Sequence, residues 1–234
     1  ALVIGTAVYR SRRLVVRGAK EVEDSDNLRR FLPGELHNDL SNEALQNLRI
    51  PQRRDVAVLM IDLRGFTQMT ESLDARAVAH ILLWFRSLVL DATERHGGLV
   101  DKFVGDGAMM VFGLRGDASE AASNAFAAFS YVMDGVDQRN LEQTGDAADV
   151  TIAGGLHSGP ALVGAFGDDR RLEFTALGRT VNIASRLEHI AKQKNLKLVA
   201  SANTLSDSTI TDAGFEDLGP ESLRGIAQPK NANG

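Results

Sequence analysis

Apolar and polar positions divide the chain into recognisable periods. Residues 56–61 (VAVLMI) form an unbroken apolar run of strand length, which predicts a strand buried on both faces. Val78, Ile81, Leu82, Phe85, Leu88, Val89 and Ala92 then recur at helical spacing, and Gly97-Gly98 closes that helix. Two further apolar runs, 99–104 and 108–112, are joined by Gly105-Asp106-Gly107, a hairpin signal. Residues 118–141 are Ala-rich and read as a helix. Residues 150–156, 161–166 and 172–175 read as three strands, 181–194 as a helix and 196–200 as a strand, with a weaker strand pair near Phe215 and Leu223. Strands alternate with helices around one clear hairpin, so the pattern predicts a mixed sheet covered by helices rather than a purely parallel one. Upstream, residues 10–30 carry charge without a period and read as a linker or helical stalk. Residues 28–48 read as two short helices broken at Pro33-Gly34, with Pro51 closing the connector.

Composition narrows the chemistry. At 234 residues there is room for one good-sized domain with an appendage, and 44% apolar residues can build its core. The absence of cysteine excludes a disulfide scaffold, a thiolate zinc site and a cysteine nucleophile. The net charge of −5 means that the chain as a whole is no nucleic-acid binder by charge, although the charge is uneven, net +3 over residues 1–30 and −8 over the remainder. The opening ALVIGTAVY is too short to span a bilayer and precedes RSRR, the reverse of a secretory signal. It reads either as the inner end of a membrane helix, with the arginines on the cytoplasmic side, or as a buried helix turn.

Several residues could carry chemistry, each with an ordinary structural account beside it. Asp62 ends an apolar strand and Asp106 sits in the hairpin turn. If the hairpin pairs beside the first strand, two carboxylates meet at one sheet edge and would repel unless a hard cation such as Mg²⁺ or Mn²⁺ lay between them. Capping and turn formation are the ordinary account. Gly65-Phe66-Thr67 opens a helix, where backbone N–H groups suit an anion. Lys102, four residues before Asp106, shares a strand face with Val104 and would either snorkel or donate to a ligand. Asn182 and Arg186 share one face of the last long helix, as a solvated stripe or as donors to a sugar and a phosphate. The five histidines lack metal-ligand spacing, and His157, before Ser158-Gly159, reads as holding a turn.

Taken together, VLMIDLRGFTQMTE, GGLVDKFVGDGAMMVFG and AGGLHSGPALVGAFGDDRRLEFTALGRTVNIASRLE resemble the catalytic domain of class III nucleotidyl cyclases, from about residue 55 to 226. The resemblance implies an α+β fold with a ferredoxin-like, mainly antiparallel mixed sheet flanked by helices. It implies a catalytic domain over residues 51–234 behind a juxtamembrane linker and helical transducer over 1–50, where LRRFLP is typical. Carried over by position, Asp62, Asp106 and the Ile61 carbonyl hold two Mg²⁺ or Mn²⁺ ions per active site. Phe66 and Thr67 belong to the phosphate loop. Lys102 and Thr175 read the base, Asn182 orients the ribose, and Arg186 stabilises the transition state. Thr175, where many members have Asp, marks the subclass associated with bicarbonate stimulation, so bicarbonate enters as a regulator. The triphosphate-binding cation expected near the C-terminus, where Arg224 and Lys230 stand, is not assigned.

The activity implied is adenylate cyclase: ATP converted to 3′,5′-cyclic AMP and pyrophosphate, in signalling. Sites are shared across a homodimer, with residues 168–172 as its dimerisation arm. The location implied is cytoplasmic, on a membrane anchor N-terminal to the chain. Three alternatives stand beside it. A guanylate or dual-specificity cyclase would usually place Glu and Cys where Lys102 and Thr175 stand. A catalytically silent dimerisation module would have lost a metal Asp or the arginine. A diguanylate cyclase would carry a Gly-Gly-Asp/Glu-Glu-Phe hairpin in place of Val-Gly-Asp-Gly.

Overall fold

A computed structural model describes residues 50–114, 118–142, 149–168, 171–206, 210 and 215–219. The expected transducer, the membrane reading of residues 1–9, the strand near Leu223, Arg224 and Lys230 lie outside these residues. Among the described residues no helix is long and apolar enough to cross a membrane.

The elements run β1 (Gln52–Leu63), α1 (Phe66–Ser72), α2 (Ala75–Arg95), β2 (Leu99–Val104), β3 (Gly107–Phe112), a single 3₁₀ turn, α3 (Ala121–Glu142), β4 (Ile152–Asp168), β5 (Arg171–Leu177), α4 (Arg179–Gln193), β6 (Leu198–Ala200) and α5 (Ala202–Ser206). The chain divides into two compact units. Among the described residues the larger runs over 55–161 and 178–219, and the smaller over 50–54 and 162–177.

In the larger unit the strand order is β2-β3-β1-β4, with β6 parallel to β4. β3 is antiparallel to both of its neighbours. This βαββαβ chain order with spatial order 4-1-3-2 is the ferredoxin-like arrangement. Val56 to Leu59 are at most 2% exposed, as expected of a strand covered on both faces. Asp74 caps α2 by accepting from the Arg76 and Ala77 amides at 2.8 and 2.9 Å. Phe85, Val89 and Ala92 of α2 and Ala125, Ala128, Phe129 and Val132 of α3 then pack into one core with Leu59, Ile61, Met110 and Phe112 of the sheet.

The opposite face of β4 carries α4, and period-two alternation explains why. Ile152 and Leu156 join the α2–α3 core, while Ala153 joins Ile183, Leu187 and Ile190 of α4. Gly154 faces Phe129, and Gly155 faces the backbone of α4. A Cβ at 155 would lie 2.1 Å from the Glu188 nitrogen and 2.2 Å from the Ala184 oxygen. The glycine therefore lets α4 lie directly on the strand, which fixes the helix carrying Asn182 and Arg186.

The smaller unit, as described, is chiefly the hairpin of distal β4 and β5. Its register runs antiparallel from Leu162↔Leu177 to Asp168↔Arg171.

Two expectations need correction. Residues 150–156 and 161–166 do not form separate strands. β4 runs through His157-Ser158-Gly159-Pro160, and His157 holds no turn. Its Nδ1 meets Ser201 Oγ at 2.7 Å, the Ser158 amide donates to Thr204 Oγ1 at 2.7 Å, and Thr180 Oγ1 donates to the Pro160 carbonyl at 2.8 Å. These distant side chains satisfy groups that, in sequence, look like a turn. Residues around Phe215 are not a strand in the described stretch 215–219.

Candidate functional site

Asp62 sits opposite Gly107 in the β1–β3 ladder, and Ile61 opposite Ala108. Asp106 precedes Gly107 in the hairpin turn, where Gly105 adopts φ 62°. The Leu63 amide reaches the Asp106 carbonyl at 3.5 Å. The ladder therefore brings the two aspartates together, near enough for Asp106 to help raise the pKa of Asp62. A side chain at 107 would fill the space between them: its Cβ would stand 2.9 Å from the Ile61 carbonyl oxygen and 3.3 Å from Asp62 Oδ2.

The electrostatics are those of a carboxylate pair short of cations. Asp62 is pushed up to about 6, first by burial and then by the hydrogen bond with Asp106, against the lowering effect of Lys192. Its Oδ1 is buried without a hydrogen-bond partner. Oδ2 pairs with Lys192 Nζ at 2.6 Å, and the same ammonium meets Glu188 Oε1 at 3.0 Å. Burial works against the Lys192 charge, but its hydrogen bonds to Asp62 and Glu188 outweigh burial and raise its pKa above the ordinary lysine value. Two carboxylates, one of them with a buried unpartnered oxygen, and a main-chain carbonyl around a cradle kept open by glycine are a donor set that fits hard divalent cations. Among the described residues no group of three His, Cys, Asp or Glu side chains forms a fuller cage.

Two residues later, Arg64 ties this loop to α4. Its Nε donates to the Ile152 carbonyl at 3.1 Å, and Nη1 to Asn195 Oδ1 at 3.0 Å. Nη2 donates to the Ala191 carbonyl at 2.9 Å and also to the Leu196 carbonyl. The last carbonyls of a helix lack intrahelical donors and carry its negative end, so a half-buried guanidinium fork suits them. Arg64→Ala is expected to cost about 2–3 kcal/mol of stability, from lost charged hydrogen bonds and stranded carbonyls. Arg64→Lys should recover only part, because an ammonium cannot fork. Urea denaturation checks both, and a loss under about 0.5 kcal/mol would remove Arg64 as the clamp.

The other sequence candidates are distributed as follows. Phe66 and Thr67 open α1 behind Gly65, whose φ of 66° forms an N-cap without a side-chain hydrogen bond. The helix therefore begins with amides that have no intrahelical partner. Lys102 lies on β2 opposite Met109, just after a bulge at Asp101, and its Nζ is 3.5 Å from Asp101 Oδ2. Lys102 and Val104 keep a common face as expected, because the bulge falls before both. Asn182 is exposed on α4, and Arg186, one turn on, has a buried Nη1 without a hydrogen-bond partner. Thr175 is buried on β5 opposite Gly164, within the smaller unit. His157 is pushed down to about 4, by burial and then by nearby Arg179, so it is neutral at pH 7 and serves Ser201.

Arg64, Glu188 and Lys192 were not singled out in the sequence, and Gly107 was read only as part of the hairpin turn. An Arg directly after the Asp62 strand and a Glu-Lys pair four apart on α4 were the available signals.

The model of the adenylate and guanylate cyclase catalytic domain family matches residues 48–232. An uncharacterised protein of Mycobacterium tuberculosis is 32% identical over 177 residues, 75% of this chain and 32% of that protein. An adenylate cyclase of Anabaena cylindrica is 24% identical over 184 residues, 77% of this chain and 36% of that protein. The chain thus spans about a third of these relatives' lengths. Among solved structures, the adenylyl cyclase CyaB of P. aeruginosa superposes with TM-score 0.67 at 30% identity, covering 76% of this chain and 92% of that one. The guanylyl cyclase Cya2 superposes with TM-score 0.61 at 27% identity, covering 68% and 80%.

Proposed function

We propose that this chain, which belongs to the adenylate and guanylate cyclase catalytic domain family, converts ATP to 3′,5′-cyclic AMP and pyrophosphate at sites shared between two copies. The observation that carries the reading is the Asp62–Asp106 pair, with Asp62 Oδ1 buried and unpartnered beside the Ile61 carbonyl. Asp62, Asp106 and that carbonyl would hold two Mg²⁺ or Mn²⁺ ions. When bound, the ions acidify the ribose 3′-hydroxyl and stabilise the charge of the departing pyrophosphate.

The remaining work falls to this chain's own groups. Asn182 holds the ribose so that O3′ faces the α-phosphorus, a proximity effect. Arg186, with a buried guanidinium nitrogen that finds no partner in its own chain, neutralises charge growing on the phosphate oxygens. The open amides at the start of α1, with Phe66 and Thr67, receive phosphate oxygens. Lys102 donates to a ring nitrogen of adenine, and the Thr175 hydroxyl accepts from its exocyclic amine. A chain of net −5 binds so anionic a nucleotide through these local groups rather than through a general basic field.

Purified protein incubated with ATP or GTP, with Mg²⁺ or Mn²⁺ and with or without bicarbonate, should yield cyclic AMP identified by mass. Cyclic GMP as the main product, or no cyclic product in any arm, overturns the reading. Lys102→Glu combined with Thr175→Cys replaces the base-reading pair by the one usual in guanylate cyclases. Its ratio of ATP to GTP turnover should fall by at least about tenfold, the scale of one well-placed hydrogen bond. An unchanged ratio removes Lys102 from base recognition.

A further inference from the structure

We propose that Lys192 is the resident counter-ion of the carboxylate pair, a positioning residue that holds Asp62 while no divalent ion is present and transfers to Glu188 when one binds. The proposal rests on the metal reading of Asp62 and Asp106 given above.

Three observations carry it. The Lys192 ammonium lies 2.6 Å from Asp62 Oδ2 and 3.0 Å from Glu188 Oε1, so it already touches both of the acceptors it would exchange between. Glu188 and Lys192 are one turn apart on α4, so the helix holds them as neighbours whatever Asp62 does. The backbone beneath Lys192 is clamped, because Arg64 donates to the Ala191 carbonyl at 2.9 Å and to the Lys192 carbonyl at 3.5 Å. The side chain above it is not, for it is one-third exposed on a flexible four-carbon stem.

Charge supplies the direction of the exchange. Two adjoining carboxylates without a cation repel, and Lys192 relieves this with one positive charge. A divalent ion brings two charges to the same carboxylate and repels the ammonium. Glu188, whose side chain is 13% exposed, is the acceptor within reach. Lys192 therefore keeps Asp62 oriented before metal binding and competes weakly with the metal for it.

The test is Mn²⁺ binding to the full chain without nucleotide, read as free Mn²⁺ by electron paramagnetic resonance. Asp62→Asn is the control for the premise: if it leaves Mn²⁺ affinity unchanged, the metal reading fails and the counter-ion role goes with it. Where Asp62→Asn does abolish binding, Lys192→Met should tighten Mn²⁺ about three- to tenfold, the scale of a partly exposed ion pair. Glu188→Gln should weaken it by a similar factor, because Lys192 then has only Asp62. Lys192→Met should also melt below wild type without metal, and saturating Mn²⁺ should close that gap. A purely structural lysine would leave the gap open at saturation. An unchanged or weaker Mn²⁺ affinity in Lys192→Met, or a melting deficit that persists with metal, overturns the proposal. If Lys192→Met fails to fold, Glu188→Gln decides alone, and an unchanged affinity there overturns it.

Discussion

Asp106→Ala is expected to abolish cyclic nucleotide production, with turnover down by at least about 10³, while the domain stays folded. The two halves of this expectation come from different atoms. The turn is set by backbone: Gly105 supplies the positive φ, and the Asp106 carbonyl that accepts from Leu63 remains in the variant. The carboxylate adds nothing to that geometry. Its removal also takes away the hydrogen bond and the like charge that help raise Asp62. Stability should therefore stay within about 1 kcal/mol of wild type. Turnover is another matter. A site for divalent ions that loses one of two carboxylates forfeits several kcal/mol of charge stabilisation, and each 1.36 kcal/mol is tenfold in rate. Product mass and urea denaturation, measured on the same preparation, separate the two. Turnover within tenfold of wild type would remove Asp106 from the site.

The parts of this fold that could be read from sequence are those whose cause is local. Val56 to Ile61 is uniformly apolar because both faces of β1 are covered. Asp62 and Asp106 could be brought together on paper because an Asp-Gly turn between apolar runs fixes the β2–β3 hairpin, and β3 then pairs with β1. What could not be read depends on partners far along the chain. His157-Ser158-Gly159-Pro160 looks like a turn because its polar groups have no local partners, yet Ser201, Thr204 and Thr180 supply them and β4 continues. Gly154 and Gly155 fall inside the strand read at 150–156, but the reason for glycine there, Phe129 on one face and the backbone of α4 on the other, lies far along the chain. In the site, carboxylates at a strand end and in a turn were conspicuous. Arg64 and Lys192 were not, because a charged residue near a helix end usually lies in solvent. Only the approach of α4 to the end of β1 turns Arg64 into a clamp and Lys192 into a counter-ion.

That approach also constrains how many chains a complete site needs. With 3.6 residues per turn, Asn182 and Arg186 form one stripe of α4, and Glu188 and Lys192 another about 120° round the helix. Lys192 touches Asp62 of its own chain. Asn182 lies roughly 15 Å from Lys192 along the axis, which supports the proposal that its ribose is not held against a metal on that same Asp62. The Arg186 nitrogen without a partner in its own chain fits the same reading. A second copy, related by a two-fold axis, can bring its Asn182 and Arg186 to the first copy's carboxylates, and the exchange is reciprocal. Arg186→Ala alone is then expected to lower kcat by about 10²–10³, the scale of one electrostatic stabiliser. Asp106→Ala alone is expected to be inactive. Mixed in equal amounts and allowed to exchange subunits, the two dead or crippled chains should recover about a quarter of the wild-type rate. Half the dimers are mixed, and each mixed dimer has one site with an intact Asp106 from one copy and an intact Arg186 from the other. Cyclic AMP production across a titration of one variant into the other reads this out. A mixture no more active than the sum of its parts would mean that both groups act within one chain, and the two-copy site would have to be abandoned.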